Sequence, residues 1–193
     1  VIIGDEAHLF KSKSLVKIMD KLEHAKHRYG FTGTLDGTQT HKWVLEGLFG
    51  PSYKVTQTKE LMEQGHLSQL DIQCLVLKYK PKKFETYEDE IQYLIGHEKR
   101  NKFITNLALD LKGNTLILYS RVEAHGKILY ELINNSVNRD RKVFFIHGGV
   151  DAEDREEVRK ITEEETNAII VASYGTFSTG INIRRLHNVI FAS

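Results

Sequence analysis

Val1-Ile2-Ile3-Gly4-Asp5-Glu6-Ala7-His8 is the stretch on which the reading of this chain turns. An apolar run stops abruptly at two carboxylates and a histidine. Such a run fits a strand buried on both faces of a parallel sheet, because crossover helices cover both sides of such sheets. The carboxyl end of the strand then opens onto the crevice where open α/β sheets bind ligands. Asp5 stands at that end, placed to hold Mg²⁺ directly or through a water. Glu6, the next residue, can take a proton from an attacking water. For Asp-Glu alone, a strand followed by a solvated acidic turn is the better account.

As a unit, the octapeptide matches the Walker-B arrangement of ATPases, in which catalysis is mostly positioning and electrostatics around a nucleotide-bound metal. The chain that carries it has 193 residues, enough for one large domain or two small ones. Hydrophobic residues make up 40% and charged residues 27%, a composition that supports a packed core. With 27 basic and 26 acidic residues the net charge is +1, which argues against bulk electrostatic binding of nucleic acid by the whole chain but leaves a local basic face open. Cys74 is the single cysteine, so no internal disulfide can form, consistent with a reducing compartment. No stretch approaches the roughly 20 apolar residues of a membrane-spanning helix. Val1 opens the chain inside one core-like strand, and Val189-Ile190-Phe191-Ala192-Ser193 closes it on another. The expectation is an internal piece of a longer protein.

Residues 11–25 carry Leu15, Ile18, Met19 and Leu22 at helical spacing, with Ser12 and Ser14 as candidate caps. A short strand then runs into Thr32-Gly33-Thr34. Two readings stand for this tripeptide: a relay touching the end of the neighbouring Asp5-Glu6-Ala7-His8 strand, or an ordinary strand-to-helix cap. Residues 41–49 predict a helix stopped by Gly50-Pro51, and Trp43 on it is expected to pack in the core rather than stack on a base. Residues 53–56 alternate like a short strand, and residues 58–65 predict a helix ending near Gly65. The character changes around residues 66–70, and the expected domains are 1–68 and 69–193.

The second part is more regular. Residues 71–79 read as a strand leading into Lys78-Tyr79-Lys80-Pro81-Lys82-Lys83, the most basic patch, which either faces phosphates or is a solvated strand exit. Residues 84–112 read as one long, mostly helical segment with an apolar stripe of Phe103, Ile104, Leu107, Ala108 and Leu111. Strands are expected at 115–120, 142–149, 168–173 and 189–192, alternating with helices at 122–135 and 151–165. This alternation indicates βαβ units and a parallel sheet.

Taken in order, Asp5-Glu6-Ala7-His8, Thr32-Gly33-Thr34, Leu118-Tyr119-Ser120, His147-Gly148-Gly149 and the run from Ala172 to Asn182 resemble the motifs of superfamily 2 helicases. The wording of residues 31–38, 45–53 and 173–182 is similar to the recombination helicases of T4-type phages. The resemblance implies an α/β fold of two RecA-like parallel-sheet domains, the first truncated, with ATP as substrate, Mg²⁺ as cofactor and DNA as partner. It implies that Asp5 binds Mg²⁺, that Glu6 is the general base, and that His8, Thr32, Gly33 and Thr34 couple the nucleotide state to domain movement. Ser120, His147, Gly148, Thr176 and Thr179 would lie near the DNA backbone, where hydroxyls and amides fix position without reading sequence. Gly180 and Asn182 would approach the nucleotide. Many relatives carry Asp where this chain has Asn182, whose amide can hydrogen-bond a ribose hydroxyl without charge.

The phosphate loop expected before the Asp-Glu strand, and the arginine-bearing segment expected after Ser193, are not within this sequence. Both matter: the loop supplies the amide cradle and lysine for the triphosphate, and an arginine finger contributes on the order of 10³ or more to phosphoryl transfer. The expectation is therefore a monomeric ATP-driven motor in the host bacterial cytoplasm, acting on forks, Holliday junctions, and D- or R-loops, whose 193-residue piece is inactive alone. The alternatives are a restriction-type DNA translocase, an RNA helicase, or a non-enzymatic RecA-like fragment that only binds DNA.

Overall fold

Strand β1 (Ile2–Gly4) lies parallel to β2 (Arg28–Gly30), with Gly4 opposite Gly30. The computed structural model describes residues 1–33, 39–80, 82–138, 140–149, 152–177 and 183–193, and these fall into two units, Val1–Cys74 and Leu75–Ser193. Sequence reasoning set a boundary between residues 68 and 69, whereas the two units part between Cys74 and Leu75.

In the first unit the chain turns from β1 into a 3₁₀ turn, Ala7–Lys11, and then α1 (Lys13–Lys21). Ser12 caps α1, its side chain accepting from the Leu15 amide, as its sequence position predicts. Two further helices follow, α2 (Gln39–Phe49) and α3 (Thr58–Glu63). The packing under β1 depends on two glycines. A Cβ at Gly4 would stand 2.9 Å from the Phe49 ring, and one at Gly30 would stand 3.0 Å from both Ala7 Cβ and Phe49. Phe10 and Phe49 meet edge to face with centroids 5.2 Å apart. Small residues at 4, 7 and 30 thus let two aromatic rings close directly on the strand pair.

Trp43 does not join this core; it is 65% exposed. The helix turns 100° per residue, so Trp43, six positions before the packed Phe49, lies well round the cylinder from it. Residues 53–56 and 71–79 have no strand assignment and are largely exposed. Their alternation supplies strand propensity, but a strand also needs a partner edge, and none among the described residues pairs with them.

The second unit is built on a four-stranded parallel sheet in the order β4-β5-β3-β6. Its strands are β3 (Asn114–Tyr119), β4 (Val143–Ile146), β5 (Ile169–Ser173) and β6 (Leu186–Phe191). Every residue of β3 is buried, as expected for a strand covered on both faces. Ile117, Tyr119, Ile169 and Val171 point to one side, against Ile104, Ala108, Leu129 and Ile133. Leu116, Leu118, Ile170 and Ala172 point to the other, with Val158 and Tyr174. The first layer comes from α5 (Glu98–Asp110) and α6 (Lys127–Ser136), and the second from α7 (Ala152–Glu164) and α8 (Tyr174–Phe177).

The segment read as one helix over 84–112 is two, α4 (Tyr87–Ile95) and α5, parted at Gly96-His97. The break has a local cause: the His97 side chain accepts from the Arg100 amide and starts a new helix, which a continuous one would not allow. The helix expected from 122 begins instead as a π turn, Val122–Gly126. At the amino ends of the strands Asn114 is fully buried and fully satisfied. The two N–H groups of its amide are shared among the carbonyls of Thr162, Glu165 and Arg185, all 2.8–2.9 Å away, and its oxygen accepts from the Ala168 amide. One side chain therefore holds the end of α7 and the entries to β5 and β6 together.

Candidate functional site

At the end of β1 the backbone makes an unusual turn. Glu6 has φ 48° and ψ 48°, the one positive-φ residue other than glycine among the described residues. A glutamate in this left-handed region is disfavoured sterically, and such conformations persist where the surroundings over-determine them. Three bonds hold it. The Glu6 amide donates to Asp5 Oδ1 at 2.9 Å, the Ala7 amide donates to the Phe31 carbonyl at 2.8 Å, and Phe31 in turn donates to the Gly4 carbonyl at 2.8 Å. The parallel ladder of β1 and β2 is thus extended past both strand ends, and the buried Ala7 anchors the turn from below.

The turn brings the predicted groups together. His8 Nδ1 lies 2.8 Å from Thr32 Oγ1 and 3.2 Å from Glu6 Oε2. The ring nitrogen thus faces the Thr32 hydroxyl at hydrogen-bond distance and the Glu6 carboxylate at ion-pair distance. Two motifs separated in sequence are joined through one imidazole. Of the two readings of Thr32-Gly33-Thr34, the structure supports the one in which this segment touches the Asp-Glu strand end. Among the described residues, a Cβ at Gly33 would meet nothing within 4 Å. Thr34 lies outside the described residues.

Asp5 and Glu6 are exposed, and Asp5 keeps a second carboxylate oxygen beyond the one that accepts from Glu6. Among the described residues no three His, Cys, Asp or Glu side chains converge as a metal site. Mg²⁺ bound with phosphates and water asks for no such cluster; one or two carboxylates suffice, and Asp5 fits that donor set.

The second unit places its predicted residues along the carboxyl edge of its sheet, in different settings. Ser120, just past β3, is exposed; its amide donates to Ser193 Oγ at 3.1 Å and its hydroxyl to the Ser193 carbonyl at 3.0 Å. His147, past β4, accepts from the Gly149 amide at 3.1 Å through Nδ1, which curls the glycine turn back on the ring. Gly148 is exposed, and a Cβ there would meet nothing within 4 Å among the described residues. Thr176 is buried, its hydroxyl 2.7 Å from Ser173 Oγ. Thr179, Gly180 and Asn182 lie outside the described residues.

Behind Ser120 stands a set of residues that sequence reasoning missed. His125 is fully buried on the π turn, with Nδ1 3.1 Å from Ser193 Oγ and Nε2 3.1 Å from Asn101 Oδ1. Arg100 donates to the Ala192 carbonyl, and burial holds its pKa below the ordinary guanidinium value. Burial, and secondarily the Arg100 charge, push the His125 pKa down to about 4. The sequence signal available was slight: Arg100 and Asn101 sit in a charged run that reads as a solvated face.

No protein-family model matches the chain. The chain is 35% identical over 200 residues to the ATP-dependent DNA helicase uvsW of Enterobacteria phage T4, across 100% of this chain and 39% of that protein. The crystal structure of T4 UvsW superposes with a TM-score of 0.50 and 30% identity, covering 100% of this chain and 38% of that one. A structure of S. cerevisiae Dbp5 bound to RNA and ADP BeF3 superposes with a TM-score of 0.53 at 13% identity, covering 99% of this chain and 44% of its own, which is a likeness of fold. The chain thus spans about two fifths of the length of the relatives it matches. From end to end, then, this chain is similar to about two fifths of that phage helicase, and its parallel α/β units share the fold of both structures.

Proposed function

We propose that this chain is the middle of an ATP-driven DNA helicase that remodels forks, Holliday junctions, and D- or R-loops in phage recombination and repair. The observation that carries the reading is the His8–Thr32 bond at 2.8 Å beside Glu6, because it joins the Asp-Glu strand end to the Thr-Gly-Thr segment as a nucleotide-coupled switch requires. End-to-end identity to a protein named as an ATP-dependent DNA helicase supports the substrate class.

In this reading Asp5 orients Mg²⁺ and Glu6 accepts a proton from the attacking water. The metal supplies charge neutralisation on the phosphates. His8 links Glu6 to Thr32, Gly33 and Thr34, so a change at the carboxylate is felt in that segment. Ser120, His147, Gly148, Thr176 and Thr179 face the nucleic-acid backbone, and Gly180 and Asn182 face the nucleotide. The two units correspond to two RecA-like domains, the first represented by its later part. The protein works as a monomer in the host bacterial cytoplasm, and residues 1–193 alone, lacking a phosphate loop and a final arginine, do not turn over ATP.

The test uses the full-length protein on Holliday junctions, D-loops and RNA duplexes with ATP. Unwinding of the branched DNAs, abolished by Glu6→Gln, is expected. Preference for RNA duplexes would overturn the DNA assignment, and normal ATP turnover by Glu6→Gln would overturn the assignment of the base.

A further inference from the structure

We propose that His125 is a positioning residue for nucleic acid, holding Ser193 and through it Ser120 at the carboxyl edge of the second sheet. This rests on the helicase reading above only in assigning the nucleic-acid backbone to that edge.

The directions of the hydrogen bonds follow from elementary donor and acceptor rules. Asn101 Nδ2 donates to the Ile95 carbonyl at 2.7 Å, and a carbonyl can only accept, so Asn101 Oδ1 is the atom turned toward His125. His125 Nε2 must therefore carry a proton and donate. The ring is neutral, because burial and the neighbouring Arg100 both oppose a second charge. Nδ1 is then an acceptor, and Ser193 Oγ donates to it at 3.1 Å. The Ser193 oxygen keeps lone pairs and accepts from the Ser120 amide, while the Ser120 hydroxyl donates to the Ser193 carbonyl. The series runs from the end of α4 through α5 and the π turn to the ends of β6 and β3, with each of these donors matched to one acceptor.

The backbone is built for this placement. The Gly126 amide donates to the Arg121 carbonyl at 2.9 Å, a π-type bond that inserts an extra residue into the turn. A Cβ at Gly126 would lie 2.4 Å from the Tyr119 ring, so only glycine allows the turn to close on β3 and bury His125. Tyr119 is itself fixed, donating to the Ile146 carbonyl at 3.0 Å. Arg121, at the start of the turn, is clasped by Glu88 of α4 at 2.9 and 3.1 Å. The inner end of the series is buried and rigid, and the outer end, Ser120, is exposed.

The experiment uses the full-length protein. His125→Leu removes both polar ends of the ring; His125→Gln keeps one donor and one acceptor; Ser193→Ala cuts the series between His125 and Ser120. Affinity for forked DNA and the DNA concentration that half-saturates ATP turnover are measured for each. His125→Leu and Ser193→Ala should each weaken DNA about tenfold, the effect of one lost hydrogen bond to a positioned group, with kcat changed far less and His125→Gln recovering most of the loss. Selective ¹⁵N labelling of histidine, with His125 identified by its absence in His125→Gln, should show protonated Nε2 and bare Nδ1 at neutral pH. The opposite tautomer, an imidazolium, or unchanged DNA affinity in Ser193→Ala would overturn the proposal. Absence of DNA-stimulated ATPase in the unmutated protein would instead overturn the helicase reading, and the tautomer and direct DNA affinity would still decide this one.

Discussion

The turn after β1 and the edge formed by β3 and β6 both sit at the carboxyl ends of parallel strands, yet they are held in opposite ways. At the first, reactive groups are exposed and the backbone is forced: Glu6 takes a left-handed conformation, and Asp5, Glu6 and His8 are near neighbours in sequence. At the second, the backbone is unstrained, a glycine in ordinary helical conformation leaving room for the π turn to close on Tyr119, and the polar groups are drawn from four separate elements. Exposed carboxylates are open to solvent and to ligands. A buried neutral imidazole is not, and serves instead to fix its neighbours. In the proposed reading, the contrast separates a place for chemistry from a place for positioning.

The sharpest way to break that contrast is Glu6→Gln, which keeps shape and removes the proposed base. ATP turnover of the full-length protein should fall at least about 10²-fold, with the fold intact by circular dichroism. Next is pH. The His125 pKa falls from the ordinary 6.5 to about 4 in the folded protein, so between those values the unfolded chain binds more protons. Stability is then full above pH 6.5 and is lost as pH falls toward 4, by at most about 3 kcal/mol at about 1.4 kcal/mol per pH unit. Denaturant titrations at pH 7.5 and 4.5 should show this loss, and His125→Gln should flatten it. Arg100 is the charged group facing the ring and stays protonated throughout this range.

A third variant, Gly126→Ala, tests the glycine in the π turn. Its Cβ would fall 2.4 Å from a ring tied down by a hydrogen bond, and about 1–3 kcal/mol of stability should be lost. The smallest effect is expected at the joint between His8 and Thr32. A double-mutant cycle of His8→Ala and Thr32→Ala, read by denaturant unfolding, should give a coupling of about 1 kcal/mol. A value near zero would mean that the two motifs are merely adjacent.

The first site was legible because its chemistry is local. Asp5, Glu6 and His8 lie in one short run, and apolar strand followed by carboxylates is a pattern that period and composition reveal. Even there Glu6's left-handed backbone was not visible, since nothing in its side chain favours it. The His125 series was not legible. His125 reads as one more polar residue in an amphipathic helix, and its partners Asn101 and Ser193 lie 24 and 68 positions away. Similar reasons explain the misread elements. Trp43 is apolar enough for any core, but its place on α2 relative to Phe49 turns it outward. Residues 71–79 alternate correctly for a strand and still lack a ladder among the described residues.

By itself, then, the sequence determined the parallel α/β character, the order of the motifs and which residues stand together at the end of the first strand. Those depend on short-range pattern: buried runs, turn residues, and adjacent acids and bases. The tertiary structure alone decided that His8 reaches Thr32, that helix 84–112 breaks at His97, and that Arg100, Asn101 and His125 are buried behind Ser120. Each of these depends on burial and on hydrogen-bond partners brought together by packing, and a buried polar group is defined by neighbours that its own stretch of sequence does not contain.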